Sequence, residues 1–177
     1  MKAFTVTLMA ALAAPVLAYA APSLFPAGIT NDITPNVEFG VLKAKPDTYK
    51  GRAVQLAGRI MEVREVDNGT LIVAKQLPIQ EYPAYGPVET VGSTGLIAVL
   101  YPGKVDPAGL RDGNKFIVVA EMQGAKAVSF DGATRPQTYL LARCMHVWKT
   151  GRYYEISDFP HVADGYYPLE EQTYCTK

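Results

Sequence analysis

Residues 46–78 read PDTYKGRAVQLAGRIMEVREVDNGTLIVAKQLP, and this stretch decides the fold. Val54, Leu56 and Ile60 fall on one parity and Gln55 and Arg59 on the other, the period-two pattern of a strand with one dry face. Gly58 interrupts that row. Glycine weakens a strand unless the chain bends there or another backbone comes close, so Gly58 marks the place where the strand coils. Asp67, Asn68 and Gly69 form the turn, with Asn-Gly suited to the positive φ angles of a type I′ hairpin, and Leu71, Ile72, Val73 and Ala74 return as the partner strand. A long coiled hairpin of this kind can close into a small barrel.

Further strands follow. The apolar run LIAVLY, Leu96–Tyr101, ends at Pro102-Gly103. Asp106 caps and Pro107 opens one or two helical turns that stop at Gly113 and form a short plug. Phe116, Val118, Ala120 and Met122 share one parity in a fourth strand that ends at Gly124. Residues 139–148 make a fifth, in which a bulge near Cys144 reconciles Arg143 with Leu141, Met145 and Val147 on the same parity. Five strands and a short helix after the third define an all-β fold, a small OB-like five-stranded barrel with an aromatic C-terminal tail. Between the second and third strands, residues 79–95 form a long loop carrying Tyr82 and Tyr85.

The N-terminus carries a different signal. Lys2 precedes an uncharged, mostly apolar run over residues 3–18, and Ala18-Tyr19-Ala20 supplies a small-x-small cleavage pattern, so residues 1–20 read as a signal peptide cut before Ala21. An uncleaved anchor is the other reading. Residues 21–36, with Pro22, Pro26 and Pro35, read as an extended segment, residues 37–148 as the barrel and residues 149–177 as the tail.

The chain has 17 basic and 17 acidic residues, and loss of Lys2 leaves 16 against 17. No two basic residues are adjacent, which argues against a nucleic-acid footprint. Cys144 and Cys175 are the two cysteines, and an even, unclustered pair in an oxidising compartment reads as a disulfide tying the tail to the domain. Catalytic signatures are missing from the sequence. Ser23, Ser93, Ser129 and Ser157 lack a G-x-S-x-G context, and the histidines are His146 and His161. Cys144, His146, His161 and Asp164 could be assembled as metal ligands, but their spacing suits a disulfide, a strand histidine and a solvated loop better. No catalytic residue, metal site or cofactor is therefore assigned. Asn68-Gly69-Thr70 matches a glycosylation acceptor, and its turn role is the better account.

Pro46, Tyr49, Gly51, Val54, Gly58, Ile60, Gln76-Leu77-Pro78, Pro102-Gly103 with Asp106-Pro107, and Val147-Trp148 together resemble the Slp family of outer-membrane lipoproteins over residues 37–148. The resemblance implies a bacterial envelope protein linked to starvation or stress and held to the outer membrane by an acylated N-terminal cysteine. The sequence departs from the pattern there, because its first cysteine is Cys144. A periplasmic form, or outer-membrane association without a lipid anchor, is the resulting expectation.

Trp148, Tyr153, Tyr154, Phe159, Tyr166, Tyr167 and Tyr174 crowd the tail. Tyr82, Tyr85, Trp148, Tyr153, Tyr154, Tyr166 and Tyr167 form a candidate binding surface for an envelope protein, glycan or lipid headgroup, since tyrosine offers apolar area and a hydroxyl at little entropic cost. The competing reading is that the tail wraps the barrel and caps an open end, pinned by Cys175. Two functions follow: a non-catalytic envelope module of Slp type, or a small metal-dependent or hydrolytic periplasmic enzyme.

Overall fold

The computed structural model describes residues 24–35, 37–80, 85–89, 95–150 and 170–176. Its elements are a short helix α1 (Phe39–Ala44) and strands β1 (Ala53–Val66), β2 (Gly69–Leu77), β3 (Ile79–Gln80), β4 (Gly86–Pro87), β5 (Leu96–Tyr101), β6 (Lys115–Phe130), β7 (Ala133–Trp148) and β8 (Glu171–Cys175), with single 3-10 turns at Pro46–Tyr49 and Pro107–Gly109. The all-β class read from the sequence is the class that forms. The large sheet runs β5-β2-β1-β6-β7-β8, and a parallel pairing of β5 with β7 closes β1, β2, β5, β7 and β6 into a ring of five strands.

The period-two pattern drives closure. Val54, Leu56 and Ile60 of β1, Ile72 and Ala74 of β2, Ile97 and Val99 of β5, Phe116, Val118, Ala120 and Met122 of β6, and Leu140, Met145 and Val147 of β7 all point into one buried cluster. Gly58 sits against the Phe116 ring and the Lys75 backbone. A Cβ there would lie 3.0 Å from the Lys75 carbonyl oxygen and 3.1 Å from the Phe116 ring, so the glycine makes room for a core aromatic. The ladder irregularity of β1 falls between Ile60 and Glu62, which shifts the inward parity onto Val63. In β7 the bulge is at Arg143, skipped between the pairs Val119–Cys144 and Ala120–Ala142. It moves the inward face from Leu140 and Ala142 to Met145 and Val147, as the sequence required.

The two ends of the ring are filled differently. Helix α1, whose Phe39 and Leu42 are buried in the core, sits at the end where β5 begins. This helix was not read from the sequence. At the other end, Asp106 Oδ1 accepts a 2.9 Å hydrogen bond from the Ala108 amide and caps the turn Pro107–Gly109, while Val105 and Leu110 enter the core. One turn forms there and not two. Thr70 anchors that connection by donating to the Gly103 carbonyl at 2.8 Å.

Three further expectations are corrected. The β1–β2 loop consists of Asp67 and Asn68, since Val66 pairs with Gly69, and neither loop residue takes a positive φ. Gly69 opens β2 at φ 147°, and a Cβ on it would collide with the Tyr101 carbonyl, so close backbone approach and not type I′ geometry selects the glycine. The type I′ turn lies at Asp131 (φ 50°) and Gly132 (φ 71°), because β6 runs to Phe130 and β7 starts at Ala133. Gly124 therefore does not end β6 but occupies its bulge at φ 83°, where Asp47 approaches too closely for a side chain. Finally, residues 24–35 do not extend away. They turn back across the outer face of β1, β6 and β7, where Phe25 is buried with Ala57, Ile117, Val119 and Trp148, Ile33 bridges Ala53, and Arg143 donates to Asp32 at 2.6 Å.

The distal half of the β6–β7 hairpin covers the outer face of β2 and β5. Val128 packs there against Leu71, Val73 and Ala98, and Arg64 donates to the Ser129 carbonyl at 2.8 Å.

Candidate functional site

The two cysteines and the strand histidine singled out in the sequence lie in the β7–β8 ladder. Cys144 and Cys175 face each other in the β7–β8 ladder and are joined by a disulfide. Beside them, His146 is buried, with Nδ1 2.7 Å from Thr173 Oγ1 and Nε2 3.4 Å from Glu171 Oε2. Burial lowers its pKa below the ordinary histidine value, and the nearby Glu171 carboxylate offsets part of that shift. The Cys144 sulfur is taken up by the disulfide and supplies no thiolate for a metal. Among the described residues, no three His, Cys, Asp or Glu side chains converge on one point, while His161 and Asp164 lie outside them.

The aromatic surface divides. Trp148, read as part of a binding face, is 4% exposed and stands edge-on to His146 with ring centroids 4.4 Å apart, so its indole fills the outer core and is not presented to a partner. Tyr85 is 40% exposed and accepts a 2.6 Å hydrogen bond from Gln55 Nε2. Tyr82, Tyr153, Tyr154, Tyr166 and Tyr167 lie outside the described residues. The described end of the tail is strand β8, paired along β7. Tyr174 meets Tyr101 edge-to-face at 6.4 Å, and the Tyr101 hydroxyl donates to the Cys175 carbonyl at 3.0 Å. Burial raises the pKa of both phenols.

A second constellation was not singled out in the sequence. Arg59 pairs with Lys75 across β1–β2 and with Lys115 across β1–β6, so three cations from three strands stand in one row on the outer face. Neighbouring strands are about 4.8 Å apart, which puts these charges closer together than any sequence spacing suggests. Glu89 sits over them. Its carboxylate is 3.5 Å from Arg59, 3.7 Å from Lys75 and 3.9 Å from Lys115. The Lys115 side chain is 1% exposed and that of Glu89 27%. Desolvation lowers the Lys115 pKa, opposed by Glu89 and reinforced by Arg59. The segment that delivers Glu89 follows β2: β4 pairs with β3, the Val88 amide donates to the Pro78 carbonyl at 3.1 Å, and Tyr85 meets Gln55 four residues before Glu89 meets Arg59. Only strand register could have revealed this row, since its members are 16 and 40 residues apart along the chain.

A five-stranded ring with a disulfide-bonded sixth strand and a buried apolar interior defines a small all-β module. The profile described as "Outer membrane lipoprotein Slp family" matches residues 19–174, and the chain belongs to that family. No curated protein and no solved structure matches the chain significantly.

Proposed function

We propose that the protein is a non-catalytic module of the bacterial cell envelope, exported with residues 1–20 as its signal peptide and acting at the outer membrane or in the periplasm. Its role is binding or structural support under stress, toward an envelope protein, a glycan or a lipid headgroup. The observation that carries this reading is the interior of the ring: Ile60, Phe116, Leu140 and Met145 are fully buried in it. The inside is core, so contacts with other molecules belong to the outer face. The strand order with its parallel β5–β7 closure supports reading the ring as an OB-like barrel, an architecture that meets ligands with its outer strand face and loops.

The test is a fractionation combined with a turnover screen. Protein recovered from its native envelope should have the mass of residues 21–177, lose no mass-defined lipid on delipidation, and show no protein-dependent hydrolysis of ester, phosphoester, glycoside or peptide substrates. Recovery in the cytosol, or turnover proportional to protein concentration, overturns the reading.

A further inference from the structure

Strand β8 is set apart from the ring it lies on. β1, β2, β5, β7 and β6 close without it, because residues 138–141 of β7 pair with β5 and residues 144–148 are left for β8. Among the described strands, β8 is paired along one edge only. Its first three residues, Glu171, Gln172 and Thr173, are exposed, and it gives the apolar clusters only the half-buried Tyr174 and Cys175. One ladder and two side chains are little to set against the conformational entropy of ordering an edge strand, so the disulfide to Cys144 carries much of its attachment.

The strand also fastens parts that lie far apart in the chain. Thr173 Oγ1 donates to the Leu24 carbonyl at 3.2 Å and ties down the segment that crosses the outer face. The Tyr101 hydroxyl donates to the Cys175 carbonyl at 3.0 Å, which ties β8 to the end of β5. The Tyr174 hydroxyl lies so close to Gly109 that a Cβ there would collide with it, which ties β8 to the turn Pro107–Gly109. Loss of β8 therefore loosens all three at once. The two ends of the disulfide differ as well. Cys144 is completely buried, whereas Cys175 is half-buried on the edge strand, so Cys175 is the sulfur that an incoming thiolate meets first.

We propose that β8 is a redox-operated clasp: a dithiol acting at Cys175 opens the disulfide and releases β8, while the five-stranded ring stays folded. A thiolate of the dithiol attacks Cys175 Sγ, the S–S bond breaks, and its electron pair leaves on Cys144 Sγ, which takes a proton. The second thiolate of the reductant then attacks the mixed disulfide, Cys175 leaves as a thiolate and takes a proton, and the dithiol ends as a disulfide, oxidised by two electrons. The inference goes beyond the envelope-module reading and does not depend on it.

The full disulfide-bonded chain is treated with dithiothreitol under native conditions. Trp148, the single tryptophan, stands opposite Glu171 in the β7–β8 ladder and reports the departure of the strand. Reduction should proceed at a rate that rises in proportion to dithiothreitol and exceeds the rate of global unfolding at least about tenfold. Trp148 emission should shift to the red in step with thiol release. Hydrogen exchange should accelerate at least about tenfold across Glu171–Cys175 and at the Pro107–Gly109 turn, while β1 and β2 keep their protection. Reoxidation should restore both signals, and Cys175→Ser should show the emission and exchange of the reduced chain without any reductant. A reduction rate that levels off at the global unfolding rate, an unchanged emission maximum after full reduction, or loss of protection in β1 together with β8 overturns the proposal.

Discussion

Replacing both Cys144 and Cys175 by alanine tests what holds the C-terminal strand. The bond links residues 31 apart, and a closed loop of that length corresponds to about 3.5 kcal/mol of denatured-state entropy at 25 °C. For a folded unit of this size each kcal/mol moves the melting temperature by roughly 2–4 °C, so a drop of about 10 °C is expected. Cys144 is completely buried, so alanine there also leaves a small cavity, whereas reduction of the unaltered protein leaves the side-chain volume in place. Thermal melts of the oxidised, reduced and doubly substituted proteins therefore separate the two contributions, the reduced form lying between the others. Hydrogen exchange should localise the loss, with faster exchange across Glu171–Cys175 while β1 and β2 stay protected, because β8 pairs with β7 alone. A decrease below about 1 kcal/mol on reduction, or equal deprotection of β1 and β8, would refute the reasoning.

Other substitutions probe the packing and the buried histidine. Gly69→Ala forces a side chain into φ 147° and against the Tyr101 carbonyl, and should lower the urea midpoint by an amount equivalent to about 2 kcal/mol or more. Leu42→Ala empties the helix plug at one end of the ring and should cost about 3 kcal/mol, read by the same unfolding titration. His146 has a folded-state pKa below its ordinary value of 6.5, so the unfolded chain takes up the proton first as the pH falls. Its contribution to stability is present above pH 6.5 and is lost as the pH drops from there through the lowered folded value. Unfolding midpoints measured from pH 8 to pH 5 should show that decline, and His146→Gln should flatten it.

The parts of the fold that were legible in the sequence are those governed by side-chain alternation. Val54, Leu56 and Ile60 in β1, and Phe116, Val118, Ala120 and Met122 in β6, announced their inward face because period two is visible without knowing what packs opposite. The bulge at Arg143 was legible for the same reason, as a break in parity. Glycines misled where their cause is tertiary. Gly69 and Gly124 look like a turn and a strand end, yet one admits the Tyr101 backbone and the other admits Asp47, neighbours that no local window contains. The Asp131-Gly132 turn was the opposite case, a local hairpin signal obscured by the polar, weakly alternating residues on either side of it. Helix α1 is a six-residue element held by burial of Phe39 and Leu42, too short to show periodicity. The cationic row was illegible in principle, because Arg59, Lys75 and Lys115 become neighbours only through register. Trp148 was misassigned because an aromatic near a chain end can cover a second, outer core as readily as it can face solvent.

The parallel seam between β5 and β7 sets an order of events for a chain that emerges N-terminus first, whether from a ribosome or from a translocation pore. β1 and β2 can pair as soon as they appear, and β5 can add to β2, but the other side of β5 waits for residues 138–141 and the other side of β1 waits for residues 115–121. Until then the nascent sheet is an open trough with its apolar lining exposed along two unpaired edges. Pairing that joins distant parts of a chain is slow and leaves such edges open to aggregation. Oxidation follows closure, because Cys175 lies on β8, after all five ring strands in chain order. The disulfide therefore records that the strands before it have already arrived.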